Sequence, residues 1–206
     1  MTRRIFAVVL AAALSLPASM ASAIGYGIDF TVPCNGGGSA CGGSDEISIT
    51  GVIEVDMLGA IGTGDISSFF IEVTSPTIGT TTLTETNASI QFNDNTVSGR
   101  PIVEALVGQL LFNLDAGDNI QFTSNNFIGG SGPRAMFSFA DTMDDATVEL
   151  SVTNRTGMVF NIPPLTDDIG TTTFTEAEVA LTAVPTPAPI LLLASALGIV
   201  ALRRRD

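Results

Sequence analysis

The chain has no histidine, no lysine and no tryptophan, a single tyrosine and only two cysteines. Each absence removes chemistry. Without His or Lys there is no Ser-His-Asp or Cys-His mechanism, no Ser-Lys pair and no Schiff base. His-ligated zinc and facial-triad iron go with them. Two catalytic routes survive: facing carboxylates of the glycosidase kind, and hard metals held by carboxylates. The lack of Trp and scarcity of Tyr also remove the common platforms for stacking sugars, so the 12 Phe residues read as core.

Positive charge is equally scarce. Of 8 basic residues, Arg3, Arg4, Arg203, Arg204 and Arg205 lie near the termini, and of 21 acids only Asp206 does. The stretch between them keeps Arg100, Arg134 and Arg155 against twenty acids, a net charge of −17. Such a surface is a poor partner for nucleic acid or anionic lipid headgroups, whose phosphates need cations to replace released counterions. The three arginines are expected at the surface, offsetting local acid repulsion.

The two ends carry the clearest patterns. Arg3-Arg4 precede an apolar stretch from Ile5 to Leu16, and Ala21-Ser22-Ala23 forms an A-x-A site. This pattern predicts a secretory signal peptide over residues 1–23, cleaved by signal peptidase between Ala23 and Ile24. At the other end, Val184-Pro185-Thr186-Pro187-Ala188 leads into an apolar run from Ile190 to Leu202, closed by Arg203-Arg204-Arg205. As a helix that run covers roughly 20 Å, against roughly 30 Å of bilayer hydrocarbon, so it is short for a permanent span. The arginines would stay cytoplasmic, leaving everything upstream outside.

The order of motif, apolar run and arginine cluster resembles the PEP-CTERM group of bacterial sorting segments, in its Val-Pro-x-Pro-Ala variant. Thr186 stands where an acid is usual, and Asp206 follows the arginines. The resemblance covers about a tenth of the chain. It implies processing near the Pro motif by an exosortase-type membrane protease-transpeptidase; the competing reading is an ordinary C-terminal anchor. The stretch from Ile49 to Val73 is similar to a body recurring in proteins with this tail, with Phe69 or Phe70 at a position often filled by Trp. That likeness implies a secreted β-domain and carries no functional residues.

Between the signals, residues 24–183 alternate with period two. Tyr26, Ile28, Phe30 and Val32 share one parity, as do Ile47, Ile49, Ile53 and Val55, with Gly51 in the gap. The pattern returns at Phe69-Val73, Ile90-Phe92, Leu110-Leu114, Ile120-Phe122, Phe137-Phe139, Val148-Val152 and Val179-Leu181. Turn-forming clusters separate these runs, including residues 59–65, 75–79, 94–101, 115–119, 129–133, 141–145 and 163–170. Ile102 to Phe112 also fits a helical face, but Val107 and Gly108 favour a strand. The expectation is an all-β, antiparallel β-sandwich, jelly-roll-like, of nine or ten strands. It would be flanked by an N-terminal signal helix and a C-terminal apolar helix over residues 184–206.

Cys34 and Cys41 bracket six residues of a Gly-rich loop, residues 34–43, and in an exported chain predict a local disulfide. Its short loop implies a gain on the order of 2 kcal/mol, and no basic neighbour lowers a thiol pKa for redox work. Asp141, Asp144 and Asp145 form the densest carboxylate cluster and are the weak calcium candidate, competing with ordinary turn formation. Asp115-Asp118 and Asp167-Asp168 are more turn-like still. Asn87-Ala88-Ser89 and Asn154-Arg155-Thr156 match a glycosylation sequon that bacterial export usually leaves unused. No other cofactor is implied.

Two functions follow. The leading one is a non-enzymatic cell-surface or extracellular-matrix protein, exported, tethered through its tail and then processed. Its partners would be signal peptidase, the exosortase and surface polysaccharide. The alternative is a secreted carboxylate-dependent hydrolase, stabilised by calcium.

Overall fold

The computed structural model describes residues 23–35, 41–42, 44–94, 100–126, 133–141, 147–156, 166–175 and 179–184. The expected signal and apolar helices therefore lie outside the described residues, apart from Ala23 and Val184. Within them the chain forms two antiparallel sheets packed as a sandwich, and among them no helix is long and apolar enough to cross a membrane.

In chain order the strands are β1 (Ile24–Pro33), β2 (Glu46–Val55), β3 (Gly59–Ala60), β4 (Ile66–Ser75), β5 (Gly79–Thr84), β6 (Ala88–Asn93) and β7 (Val103–Ala105). They continue as β8 (Gln109–Phe112), β9 (Asn119–Ser124), β10 (Arg134–Asp141), β11 (Thr147–Thr156), β12 (Thr166–Thr175) and β13 (Leu181–Val184). The larger sheet has the order β3-β7-β8-β13-β1-β2-β4-β5, and the smaller β12-β11-β10-β9-β6.

The alternating apolar residues face each other across the sandwich. Ile28, Phe30 and Val32 of β1, Ile47, Ile49, Ile53 and Val55 of β2, and Phe69, Ile71 and Val73 of β4 are buried. They meet Ile120, Phe122, Phe137, Phe139, Val148, Leu150 and Val152 from the smaller sheet. Phenylalanines form the seam: Phe122 stacks on Phe137 at 4.5 Å, and Phe30 touches Phe139 and Phe174 at 5.4 Å. Each such pair adds about 1 kcal/mol to the gain from burial itself. Phe69 lies 6.4 Å from Phe122 across the core, whereas the neighbouring Phe70 faces outward.

Several strands depart from the expected positions. Residues 102–112 form a hairpin, β7 and β8, closed by the Leu106 amide donating to the Gln109 carbonyl at 2.8 Å. The Thr-rich stretches of β5 and β12 also pair as strands, although apolar alternation does not mark them. Threonine is β-branched and suits the pleat, and its hydroxyl can face either core or water. The expected turn at residues 163–170 is thus part strand: Asp167, Asp168 and Gly170 all sit in the β11–β12 ladder.

Candidate functional site

Three places carry the residues singled out by the sequence. The first is the meeting of β1 with β13. Ile24, the expected mature N-terminus, opens β1 opposite Val55, and Gly25 pairs with Val184, the last residue of β13. Because the two strands are antiparallel, the start of one and the finish of the other lie at the same end of the sandwich. Paired Cα atoms in such a ladder are about 5 Å apart. Ile24 and Val184, which border the two expected processing positions, are therefore neighbours in space. Strand pairing continues past Leu181, so the first residue of the Val-Pro-x-Pro-Ala motif belongs to the sheet. Pro185, Pro187, Ala188, Arg203, Arg204 and Arg205 lie outside the described residues.

Gly27 shapes this junction: a Cβ there would stand 3.4 Å from the Val184 side chain. Its bare backbone floors a groove of about 280 Å³ whose lining includes Asp29, Thr182 and Val184. Of the groove's lining residues only Asp29 is a carboxylate, and glycosidase chemistry requires two.

The neighbouring hairpin is tied down by Tyr26, whose buried hydroxyl donates to the Leu106 carbonyl at 2.6 Å. Burial raises its phenol pKa above the ordinary value of 10.0. The folded state therefore holds a proton that the unfolded chain has released, so this contribution is full below pH 10 and is lost as pH rises through the folded value. Chemical denaturation at increasing pH should show this alkaline loss in the wild type and a flatter profile in Tyr26→Phe.

The second place is the β1–β2 connection. Cys34 and Cys41 form the disulfide, with Cα atoms 6.1 Å apart, and there are no free cysteines. Around it the Cys34 amide donates to the Asp45 carbonyl, and the Asp45 carboxylate accepts from the Gly42 amide at 2.9 Å. Asp168 of β12 brings a carboxylate oxygen within 4.8 Å of both sulfurs. Among the described residues this is the one group of His, Cys, Asp or Glu side chains close enough to share a metal ion, and its sulfurs are already joined. Intact mass measurement should show a gain of two alkyl groups only after reduction; alkylation without reduction would contradict the bridge.

Asp168 serves the fold instead. It is fully buried, and its Oδ2 accepts from the amides of Thr77 at 3.0 Å and Ile78 at 3.3 Å, holding the β4–β5 turn. Its register partner Asn154 is equally buried and bonds the same turn region through Thr81, Val73, Ser75 and Gly79. Asn154 is therefore inaccessible to glycosylation in the folded protein. Asn87, by contrast, sits in an exposed turn, where it accepts from the Thr84 amide at 2.8 Å.

The third place is the acidic cluster. Asp141 ends β10 opposite Val148, while Asp144 and Asp145 lie outside the described residues. In the Asp115 turn, the Asp118 carboxylate accepts from the Asp115 amide at 3.0 Å, as a turn-forming Asp does. The arginines divide. Arg155 grips Asp167 through Nε–Oδ1 and Nη2–Oδ2 contacts of 3.2 Å, and Arg100 is exposed and bonds Asn113. Arg134 departs from expectation: it is fully buried at the start of β10 and donates to the Asn126 carbonyl at 3.0 Å.

Asn154, Asp168 and Arg134 belong to the core, at positions where the sequence alone suggests a sequon, a turn residue and a surface cation. Parity could have found the first, since Asn154 continues the inward series Val148, Leu150 and Val152. Comparison with protein families, curated proteins and solved structures finds nothing similar to this chain.

Proposed function

We propose that this chain is an exported, non-enzymatic protein of the cell envelope, cell surface or extracellular matrix, released from its membrane tether by an exosortase-type enzyme acting near Pro185 and Pro187. The observation that supports this reading best is the pairing of Gly25 with Val184. It brings the residues that border the two expected segments, Gly25 and Val184, to one end of the sandwich, and the described strands pair among themselves. A body built this way can hang from the membrane by either segment and survive the loss of both. The jelly-roll likeness and the flanking signal and apolar helices are part of the same reading.

Signal peptidase and the exosortase are the processing partners, and surface polysaccharide is the ligand class that fits the destination. The disulfide is in keeping with an oxidising compartment. The acidic body disfavours nucleic acid. The absence of His and Lys, together with the lone carboxylate of the β1–β13 groove, favours a structural role over hydrolysis.

Fractionation of the native host with terminal peptide mapping tests the proposal. The mature protein should begin near Ile24 and lack Arg203, Arg204 and Arg205. Pro185→Ala with Pro187→Ala should leave unprocessed chain in the membrane. A chain ending at Val184 keeps all of β13 and should appear folded in the medium. A surface-exposed wild type that retains its terminal arginines, unaffected by the Pro replacements, would leave only an anchor.

A further inference from the structure

Large apolar side chains are exposed mainly at one end of the sandwich. Among the described residues those exposed are Met57, Leu58, Phe70, Leu106, Val107 and Val184. All but Phe70 gather where β1 begins and β13 ends. Met57 and Leu58 follow Val55, the partner of Ile24. Leu106 and Val107 form the β7–β8 turn, which is joined to β13 by the Ala183 amide donating to the Gly108 carbonyl at 2.9 Å. Val184 lies between these two loops. The residues thus fringe the ends of neighbouring strands in the larger sheet, and Val107 is 79% exposed. No fold requirement explains that exposure: Tyr26 fixes the turn through the Leu106 carbonyl, which any side chain at 106 or 107 would supply.

From this arrangement we propose that Met57, Leu58, Leu106, Val107 and Val184 form an apolar fringe that rests in the headgroup–acyl boundary of a zwitterionic lipid bilayer while the chain is tethered. The chain beyond the fringe argues for lipid over other occupants. Residues 185–189, three of them Pro, separate Val184 from the apolar run, and in an extended polyproline form they span only about 16 Å. A membrane that receives the run would therefore lie within about 16 Å of Val184, within reach of the fringe. A second copy of the chain is a poorer fit, since two such faces would bury on the order of 800 Å² together, the size of a crystal contact, and a stable interface needs about 1,000 Å² in total. Anionic headgroups are disfavoured because Glu54 and Asp56 flank the Met57 loop, while Arg134 and Arg155 belong to the smaller sheet.

The proposal rests on the tail being a membrane segment, and the test separates the two. Because the chain has no Trp, one substitution supplies a unique fluorophore. Tail-bearing chains that begin at Ile24 and carry Met57→Trp, Val107→Trp or Thr80→Trp are reconstituted into phosphatidylcholine vesicles with or without brominated acyl chains. Thr80 is exposed beside Thr74, far along β4 from the fringe. Expected results are flotation with the vesicles, at least twofold bromine quenching at positions 57 and 107, and none at 80. Replacing phosphatidylcholine by phosphatidylglycerol should weaken the quenching at low salt. A chain that floats with unquenched Trp at 57 and 107 overturns the fringe and leaves the tail reading standing. Emission already blue-shifted without lipid and indifferent to bromine means that the tail or a second copy covers the fringe, which also overturns it. A chain that fails to float overturns both.

Discussion

Asn154→Ala should cost about 3 kcal/mol or more of folding stability, an effect far larger than a surface substitution produces. The side chain is fully buried between the sheets. Its Oδ1 accepts from the Thr81 hydroxyl at 2.7 Å, and its Nδ2 faces the Gly79 carbonyl at 3.0 Å, the Ser75 hydroxyl at 3.1 Å and the Val73 carbonyl at 3.3 Å. Alanine leaves these groups buried without their partner, and an unsatisfied buried polar group costs about 1–3 kcal/mol. Asn154→Asp should be worse at neutral pH, because a carboxylate would be buried facing two carbonyls and in register with Asp168. Burial raises the introduced carboxyl's pKa, so the defect of this variant should shrink as pH falls and the group takes up a proton. Urea titration should show a lower midpoint with an unchanged slope. An alanine variant within about 0.5 kcal/mol of wild type, the scatter of surface mutations, would refute this role for the Asn154 hydrogen bonds.

Gly51→Ala should be at least as damaging. Gly51 lies inside β2 at φ +156°, a conformation that L residues rarely adopt. A Cβ there would overlap the Phe70 carbonyl oxygen and stand 2.8 Å from the Ile71 Cα, in the backbone of the paired strand β4. Neither can yield without breaking the β2–β4 ladder of the larger sheet. Gly170→Ala acts between sheets: its Cβ would approach the Pro33 carbonyl to 2.6 Å and a Val32 methyl to 2.9 Å. Both variants should lose about 2–4 kcal/mol, or fail to accumulate as soluble protein. Gly108→Ala, with nothing within 4 Å, is the matched control and should stay near wild type. Thermal unfolding of the three side by side checks the ranking; equal midpoints would refute it.

The legible part of the fold is its apolar alternation. Ile28, Phe30 and Val32, or Val148, Leu150 and Val152, announce both a strand and the face it buries, because a period of two can serve only a pleated, half-buried element. What alternation misses is polar material placed on the same parity. Asn154 and Asp168 occupy inward positions, yet each side chain alone looks like a turn residue or a sequon. Their burial is tolerable only because a distant loop, residues 75–79, supplies donors and acceptors. That loop is more than seventy residues away in sequence, so no local pattern announces it. β5 and β12 were hidden for a related reason, since threonine marks a strand weakly and its burial depends on what packs above it.

The candidate site divides in the same way. Sequence order alone specified the A-x-A site, the Val-Pro-x-Pro-Ala motif, the short apolar run and the paired cysteines, because each is read within one short stretch of chain. It also set the acidic, His-free and Lys-free composition that confines the chemistry. Only the tertiary structure brought Gly25 beside Val184, and the Met57 and Val107 loops to the same end. Those relations come from hydrogen-bond ladders between strands separated by up to 159 positions, Gly25 and Val184 being the farthest apart. Ladder pairing is chosen by the whole sheet, through register and the burial of a shared face, and no single segment encodes its partner.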